Sequence, residues 1–464
     1  MTLNTTFMKR TAFYILLVLI VFFGFLLRLV DYDRIPPFGE TKDEFLYPWL
    51  GMSLIQTGTP TGWSLLSSYT EVKYVTYWGE QFRLASPWLE KPPLYSIFAG
   101  LTVLAKGENE FQQVRLSTVR ILPILLSIVA IVLVGLIAMQ RNHPIQGIIA
   151  ASMYATTPLF VMGNRMSVTE NLLIPLLLGA ILLLSKVDAD KKLRATHLSI
   201  LSVLTFLVLL TKQTGLALPL MVGAYSLTKK DWRTLITIAI VTLAAFSINP
   251  LMGWYFDWTF YQAMQKDLFA AVNLGFPETF SNFFRFLGVG HKESLFLDGT
   301  YLAGLLLIFN SPFQHFENKT IQTIFLLPLA YLLILTLTLS GATWYGWYMF
   351  PLYPFCALIL AHYFYHVWLN PDFKKFLFFF MFIGASSLRF LLLTTKVEFS
   401  WQPLLLSLFI LSAVIWSFGK QKVTRTFLAA LFIVYLGINV FTILNLDQLY
   451  PSRTQPLNPT TQRQ

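Results

Sequence analysis

Apolar residues fall along this chain in runs of about 20 with almost no charge, the length an α-helix needs to cross a hydrocarbon core. Thirteen such runs are read, at roughly 11–30, 117–139, 144–162, 169–186, 197–211, 214–227, 234–251, 298–310, 320–340, 347–368, 375–393, 402–418 and 427–445. The fifth and sixth are short and meet at Thr211-Lys212-Gln213-Thr214. Two stretches between runs are long, 31–116 and 252–297, and both are rich in Trp, Tyr and Phe. Loops of this length are either functional or disordered. The aromatic content argues for packing at a membrane surface. In the first stretch Leu46, Trp49, Leu50, Ser53 and Leu54 recur at helical spacing behind Asp43 and Glu44, and Gly58 closes the pattern. A second short helix is predicted from Leu94 to Ala105, opened by Pro92-Pro93. Between them Val72, Tyr74, Thr76 and Trp78 alternate with the period of a strand, which predicts a β-hairpin within 67–86.

Composition turns this pattern into a fold class: an all-α polytopic membrane protein of about 13 transmembrane helices. Of the 464 residues 55% are hydrophobic and 12% charged, and the mean hydropathy is +0.61. An ordinary soluble domain carries about twice that charge, so soluble globular and disordered chains are excluded. The net charge of +11 is explained by basic loops rather than by nucleic acid. Lys9, Arg10, Arg141, Lys186, Lys191, Lys192, Arg194, Lys229, Lys230, Arg233, Lys319, Lys374, Lys375, Lys420, Lys422 and Arg425 fall in alternate loops, and the short loops opposite hold little more than Arg165 and Lys396. The positive-inside rule then puts the N-terminus in the cytoplasm, the C-terminus outside, and both long stretches outside the plasma membrane. The single cysteine, Cys356, allows no internal disulfide. The first run is too long for a cleaved signal and lacks a small-residue cleavage site, so it reads as a retained anchor. The chain reads as one membrane domain over 1–464 with no soluble domain after the last run.

Few residues can carry chemistry in such a chain. Asp43 and Glu44 stand at the start of the first predicted outer helix, where a carboxylate serves either as a helix-start cap or as a general base at the membrane surface. Glu90 and Lys91 precede the double proline, as an exposed turn pair or as part of a site. Arg165 and Glu170 flank the turn between the third and fourth runs, and Lys212 lies between two short ones. A charge at membrane depth costs roughly 2.5–3.5 kcal/mol, so it either faces a watery cavity or snorkels. Snorkelling suits Arg165, Arg28 and Arg389 better than Lys212. No Gly-rich phosphate loop, no His-Glu-x-x-His and no paired cysteine is present.

One span, an outer loop with an acidic pair near its start, then Glu90-Lys91-Pro92-Pro93-Leu94, Arg165 with Glu170, and Thr211-Lys212, in that order, resembles the GT-C superfamily of membrane glycosyltransferases. The resemblance is strongest to the branch of protein O-mannosyltransferases and the lipid A aminoarabinose transferase, and it covers about residues 10–270. It implies that Asp43 is the essential loop aspartate, with Glu44, Glu90 and Lys91 beside it in the catalytic set. It implies that Arg165, Glu170, Lys212, Lys266, Tyr345 and Tyr348 bind substrate. The implied donor is a sugar on a polyprenyl phosphate, the acceptor a lipid, protein or glycan, and the transfer inverts the anomeric carbon. No cofactor is required by the pattern; a divalent metal on Glu90 or Asp43 is left open. Two departures stand out. Ala263 aligns where the lipid A branch has a histidine, and Trp347-Tyr348-Met349-Phe350-Pro351 carries Trp where many relatives have Arg. A transporter or flippase, or a polymerase using a lipid-linked substrate, is the alternative class; neither repeated halves nor interrupted mid-membrane helices are visible to favour a transporter.

Overall fold

The computed structural model describes residues 10–38, 42–139, 143–186, 195–271, 298–311, 319–339, 345–395, 401–418 and 421–449. Each of the thirteen apolar runs falls on a helix. Among the described residues six helices are long and apolar enough to cross a membrane: Arg10–Leu29, Leu116–Met139, Trp232–Phe256, Gly346–Leu369, Phe373–Thr395 and Gln421–Leu444. Others, such as Glu170–Ser185, Ala195–Thr211 and Gly299–Asn310, are apolar but shorter. Helix Trp232–Phe256 carries its own membrane markers. Trp232 at one end is 60% exposed, and Trp254 and Tyr255 at the other are 74% and 76% exposed. Amphipathic rings of this kind settle at headgroup level, and the helix from Trp232 to Trp254 spans ~33 Å, close to the thickness of a hydrocarbon core.

Helix α1 (Arg10–Leu29) leads into the first long segment, which holds α2 (Asp43–Thr57), the strands β1 (Gly62–Trp63), β2 (Val72–Tyr77) and β3 (Glu80–Ala85), and α3 (Leu94–Ala105). The chain then enters α4 (Leu116–Val119) and α5 (Ile121–Met139). After them come α6 (Pro144–Thr156), α7 (Pro158–Gly163), α8 (Glu170–Ser185), α9 (Ala195–Thr211), α10 (Ala217–Thr228), α11 (Trp232–Phe256) and α12 (Trp258–Ala271). Pro158 ends α6 by forcing Thr157 to an extended conformation. Between α9 and α10 Lys212 is extended and a 3₁₀ turn, Gln213–Leu216, follows, so Lys212 sits in a break between two helices.

The predicted hairpin is present. β2 and β3 pair antiparallel from Val72 opposite Ala85 to Tyr77 opposite Glu80, and β1 adds on the other side of β3. Trp78 and Gly79 both have positive φ, 52° and 72°, which is the two-residue turn whose twist matches that of paired strands. The inward face is the one out of step with the predicted alternation. Val75 and Tyr77 are buried and Tyr74 is exposed, because Val75, Tyr77, Phe82 and Leu84 pack on Phe45 and Trp49 of α2 and Val103 of α3. Helix α2 is also more enclosed than an interfacial helix with one wet face: every residue from Glu44 to Ser53 is buried.

Helices α2 and α3 cross in backbone contact. A methyl group added to Gly51 would lie 1.7 Å from the Ser96 carbonyl oxygen, and one added to Gly100 would lie 2.3 Å from the Gly51 carbonyl carbon. Only glycine at both positions permits this approach. The crossing sets where Asp43, at one end of α2, stands relative to Glu90-Lys91, just before α3. We expect Gly100→Ala to cost about 1–3 kcal/mol by overpacking, read as a lower thermal midpoint in detergent. Gly437→Ala, whose methyl meets nothing within 4 Å, should leave the midpoint in place. Equal midpoints for the two would mean that the crossing relaxes freely.

Candidate functional site

Five ionisable residues from four parts of the chain meet around the start of α2. Asp43 is the first residue of α2; the N-cap position belongs to Lys42, whose ammonium pairs with Glu80 at 2.5 Å. Glu90 and Lys91 stand in the Pro-bounded turn before α3, Glu170 is the first residue of α8, and Lys212 lies in the α9–α10 break. Lys212 and Glu170 form a buried ion pair. The Lys212 ammonium also stands 4.1 Å above the ring centroid of Tyr348, a favourable placement of a cation on a π-face. The second Glu170 oxygen accepts from the Thr169 hydroxyl at 3.0 Å. Lys91 donates to the Tyr47 hydroxyl at 3.4 Å.

The charges feel one another. Burial raises the Asp43 carboxyl above its ordinary range; Lys91 and Lys212 pull it down and Glu170 pushes it up. Such mutual effects require groups near one another. Glu90 is pushed up to about 7, first by burial, with the hydrogen bond from Ser64 and the charge of Lys91 opposing and Asp43 and Asp267 adding to the rise. Its Oε1 is buried and has no hydrogen-bond partner. Burial works against a charged Lys91, but Tyr47, Asp43, Tyr348 and Glu90 outweigh it and hold the ammonium charged.

Other residues expected at the site stand elsewhere. Glu44, next to Asp43, takes the opposite course: both its oxygens are held by Arg120, at 2.9 and 2.8 Å, and Oε1 also accepts the Ser167 N–H at 3.1 Å. It is a structural anchor, paired with a buried arginine. Arg165 neither snorkels nor reaches the cluster. It is fully buried and donates to the carbonyls of Leu27, at 2.8 Å, and Ile35, at 3.3 Å. Arg28 is likewise no snorkeller: it donates to the Gly24 and Ala155 carbonyls at 3.0 Å, to the Tyr154 carbonyl at 3.2 Å and to Asn164 Oδ1 at 2.8 Å. Lys266 is exposed on α12; its neighbour Asp267 makes the contact instead, accepting from the Ser67 hydroxyl at 2.9 Å and the Ser68 N–H at 2.8 Å. Ala263 is exposed, and among the described residues no three His, Cys, Asp or Glu side chains gather as metal ligands. The donor set at Asp43 and Glu90 is interleaved with ammonium groups and does not suit a resident cation. Two contributors were missed. Tyr47 lies one turn after Asp43, so the i, i+4 rule could have found it. Ser64 carries no local signal.

Residues 90–254 match the family described as dolichyl-phosphate-mannose-protein mannosyltransferase. No protein of curated function matches the sequence. The fold is similar to ArnT from Cupriavidus metallidurans bound to undecaprenyl phosphate, with a TM-score of 0.53 at 12% identity over 94% of this chain and 78% of that one. ArnT in the apo state gives 0.52 at 13% identity, covering 95% and 76%. Archaeal oligosaccharyltransferase AglB from Archaeoglobus fulgidus, in complex with an inhibitory peptide and a dolichol-phosphate, gives 0.50 at 12% identity, covering 95% of this chain but only 56% of that one. The family match begins at Glu90 of the cluster and ends at Trp254, and the likeness to ArnT and AglB is one of fold.

Proposed function

We propose that this protein transfers a sugar from a polyprenyl-phosphate carrier to a lipid, protein or glycan acceptor at the outer face of the cytoplasmic membrane. The observation that carries the reading is the meeting of Asp43, Glu90, Lys91, Glu170 and Lys212 around the start of α2. Two relatives of the same fold hold polyprenyl phosphates, which agrees with a site that opens to lipid. The thirteen spans, the cytoplasmic N-terminus and the outer C-terminus belong to the same proposal and rest on the Lys and Arg asymmetry of the loops.

The chemistry follows from the charges. The acceptor hydroxyl attacks the anomeric carbon and its proton passes to Asp43. The bond from that carbon to the phosphate oxygen breaks, and its electron pair leaves with the polyprenyl phosphate, inverting the centre. Lys91 and Lys212 stabilise the leaving phosphate, with Glu170 and the Tyr348 ring fixing the Lys212 ammonium. Lys266, outside this cluster, has no part in the step. A phosphate leaving group needs no proton, so a single base suffices.

Three outcomes are expected. Asp43→Asn should lower turnover by about 10²–10⁴-fold, the worth of one positioned base, while polyprenyl-phosphate binding survives. Lys212→Met should weaken that binding as well as turnover. Near-normal turnover in Asp43→Asn would leave Asp43 a structural residue. The second outcome concerns pH. Glu90 is protonated below its pKa of about 7, which removes a negative charge beside Lys91. If protonated Glu90 is the form that admits the donor, kcat/KM falls as pH rises through about 7. Ser64→Ala removes a bond that favours the carboxylate, so that limb should move to higher pH; an unmoved limb would detach it from Glu90. The third concerns orientation. With Cys356 replaced, a cysteine at Thr70 should react with an impermeant thiol reagent in sealed cells and one at Lys229 should not. Labelling at Lys229 would put the site on the cytoplasmic side.

A further inference from the structure

The ring of Tyr345 lies parallel to that of Trp347, with centroids 4.4 Å apart and an angle of 4° between planes. Trp347 is 4% exposed and so fixed by packing, whereas Tyr345 is only half-buried. The backbone holds the pair in place. Tyr345 is extended and the 3₁₀ turn Gly346–Leu352 begins behind it. The Tyr348 N–H donates to the Tyr345 carbonyl at 3.1 Å, and the Tyr331 hydroxyl donates to the Tyr348 carbonyl at 2.9 Å. Two other facts place this aromatic shelf at the cluster. Asp43 and Lys91 act electrostatically on the Tyr345 phenol, and the Tyr348 ring, 5.9 Å from Tyr345, carries the Lys212 ammonium over its face.

A rigid aromatic face beside a fixed cation matches one kind of molecule. The C–H groups on one side of a pyranose ring are weakly positive and seat on the negative face of an aromatic ring. The phosphate attached to the anomeric carbon seeks the cation. Trp347, at the position where the sequence departs from its resemblance by lacking Arg, is what makes the shelf, since a guanidinium there would supply a second charge instead of a flat support.

We propose that Tyr345, backed by Trp347, is the platform on which the pyranose ring of the donor stacks, and that the donor is a hexopyranosyl phosphate presenting one uninterrupted C–H face. The proposal rests on the transferase reading and deepens it: Tyr345 reads the sugar, while Lys212 and Lys91 read the phosphate. The test measures binding of undecaprenyl phosphate, and of undecaprenyl phosphate bearing mannose, glucose or galactose, to the full chain in lipid nanodiscs. At least one glycosylated carrier should bind the parent protein more tightly than the bare carrier. Tyr345→Ala should remove that preference, a loss of about tenfold for one aromatic stack, while leaving the bare carrier's affinity unchanged, which also reports that the variant is folded. Tyr345→Phe and Tyr345→Trp should keep the preference. The inference is overturned if no glycosylated carrier is preferred, if Tyr345→Ala weakens bare and glycosylated carriers alike, or if Tyr345→Phe behaves as Tyr345→Ala. A parent protein that binds no polyprenyl phosphate at all would overturn the transferase reading with it.

Discussion

The site depends on a buried ion pair that takes no part in it. Glu44 and Arg120 are both 0% exposed, and burying two charges is costly unless each hydrogen-bonding group is satisfied. Here the remaining capacity of Arg120 is spent on the carbonyls of Tyr32, at 2.7 Å, and Pro36, at 2.8 Å, and Glu44 accepts from the backbone of Ser167. One contact thus ties the exit of α1, the start of α2, the entry to α5 and the turn before α8. Removing either partner would leave a bare charge in the interior, so the four segments are locked together. Asp43 is the neighbour of Glu44 and turns through about 100° around the helix. The residue that anchors the helix and the residue that faces the cluster are therefore adjacent in sequence because they point apart.

Arg28 and Arg165 extend the same logic. Arg165 donates to the Leu27 carbonyl in the last turn of α1, and Arg28 to the Tyr154 and Ala155 carbonyls in the last turn of α6, where carbonyls lose their helical N–H partners. Asn171 closes the turn by donating to the carbonyls of Gly163 and Met166, at 2.9 and 2.7 Å. The turn from α7 to α8 is polar and fully buried, which is tolerable in a membrane protein only when enclosed by protein. Its rigidity fixes Glu170 at the head of α8, and Glu170 in turn fixes Lys212. The cluster is held in place by groups that lie outside it.

Much of this was legible in the sequence, for a physical reason. Helices α2 and α3, the presence of a hairpin and the apolar runs are local consequences of spacing, proline and glycine, so Asp43, Glu90, Lys91 and Lys212 could be placed at element starts and breaks, and the order of the motifs singled them out. The pairings were not legible. Nothing near Glu44 announces Arg120, 76 residues on, and nothing near Arg165 announces the carbonyl of Leu27. Arginine at the end of an apolar run reads as a snorkeller, because periodicity shows neither whether lipid or protein lies beside it nor which carbonyls have lost their partners. The inward face of the hairpin was not legible for a related reason: Tyr74 and Tyr77 are equally fit for burial, and only the packing of Phe45 and Trp49 chooses between them.

The charge balance of the cluster gives the last step. Asp43, Glu90 and Glu170 face Lys91 and Lys212, three acids against two bases, and the proposed carrier phosphate would add further negative charge. A cluster with all three carboxylates ionised would repel its donor. Glu90 is the acid placed to yield. It is the one whose oxygen lies buried without a partner, and Asp267, brought to the hairpin segment by Ser67 and Ser68, adds a second negative neighbour. Glu170 cannot yield while it holds Lys212, and Asp43, as the proposed base, must be ionised. On this view α12, through Asp267, does more than cover the site. It adds to a rise in the proton affinity of Glu90 that burial leads, so that in the proposed transfer a proton on Glu90 offsets the charge of the donor without loosening either lysine.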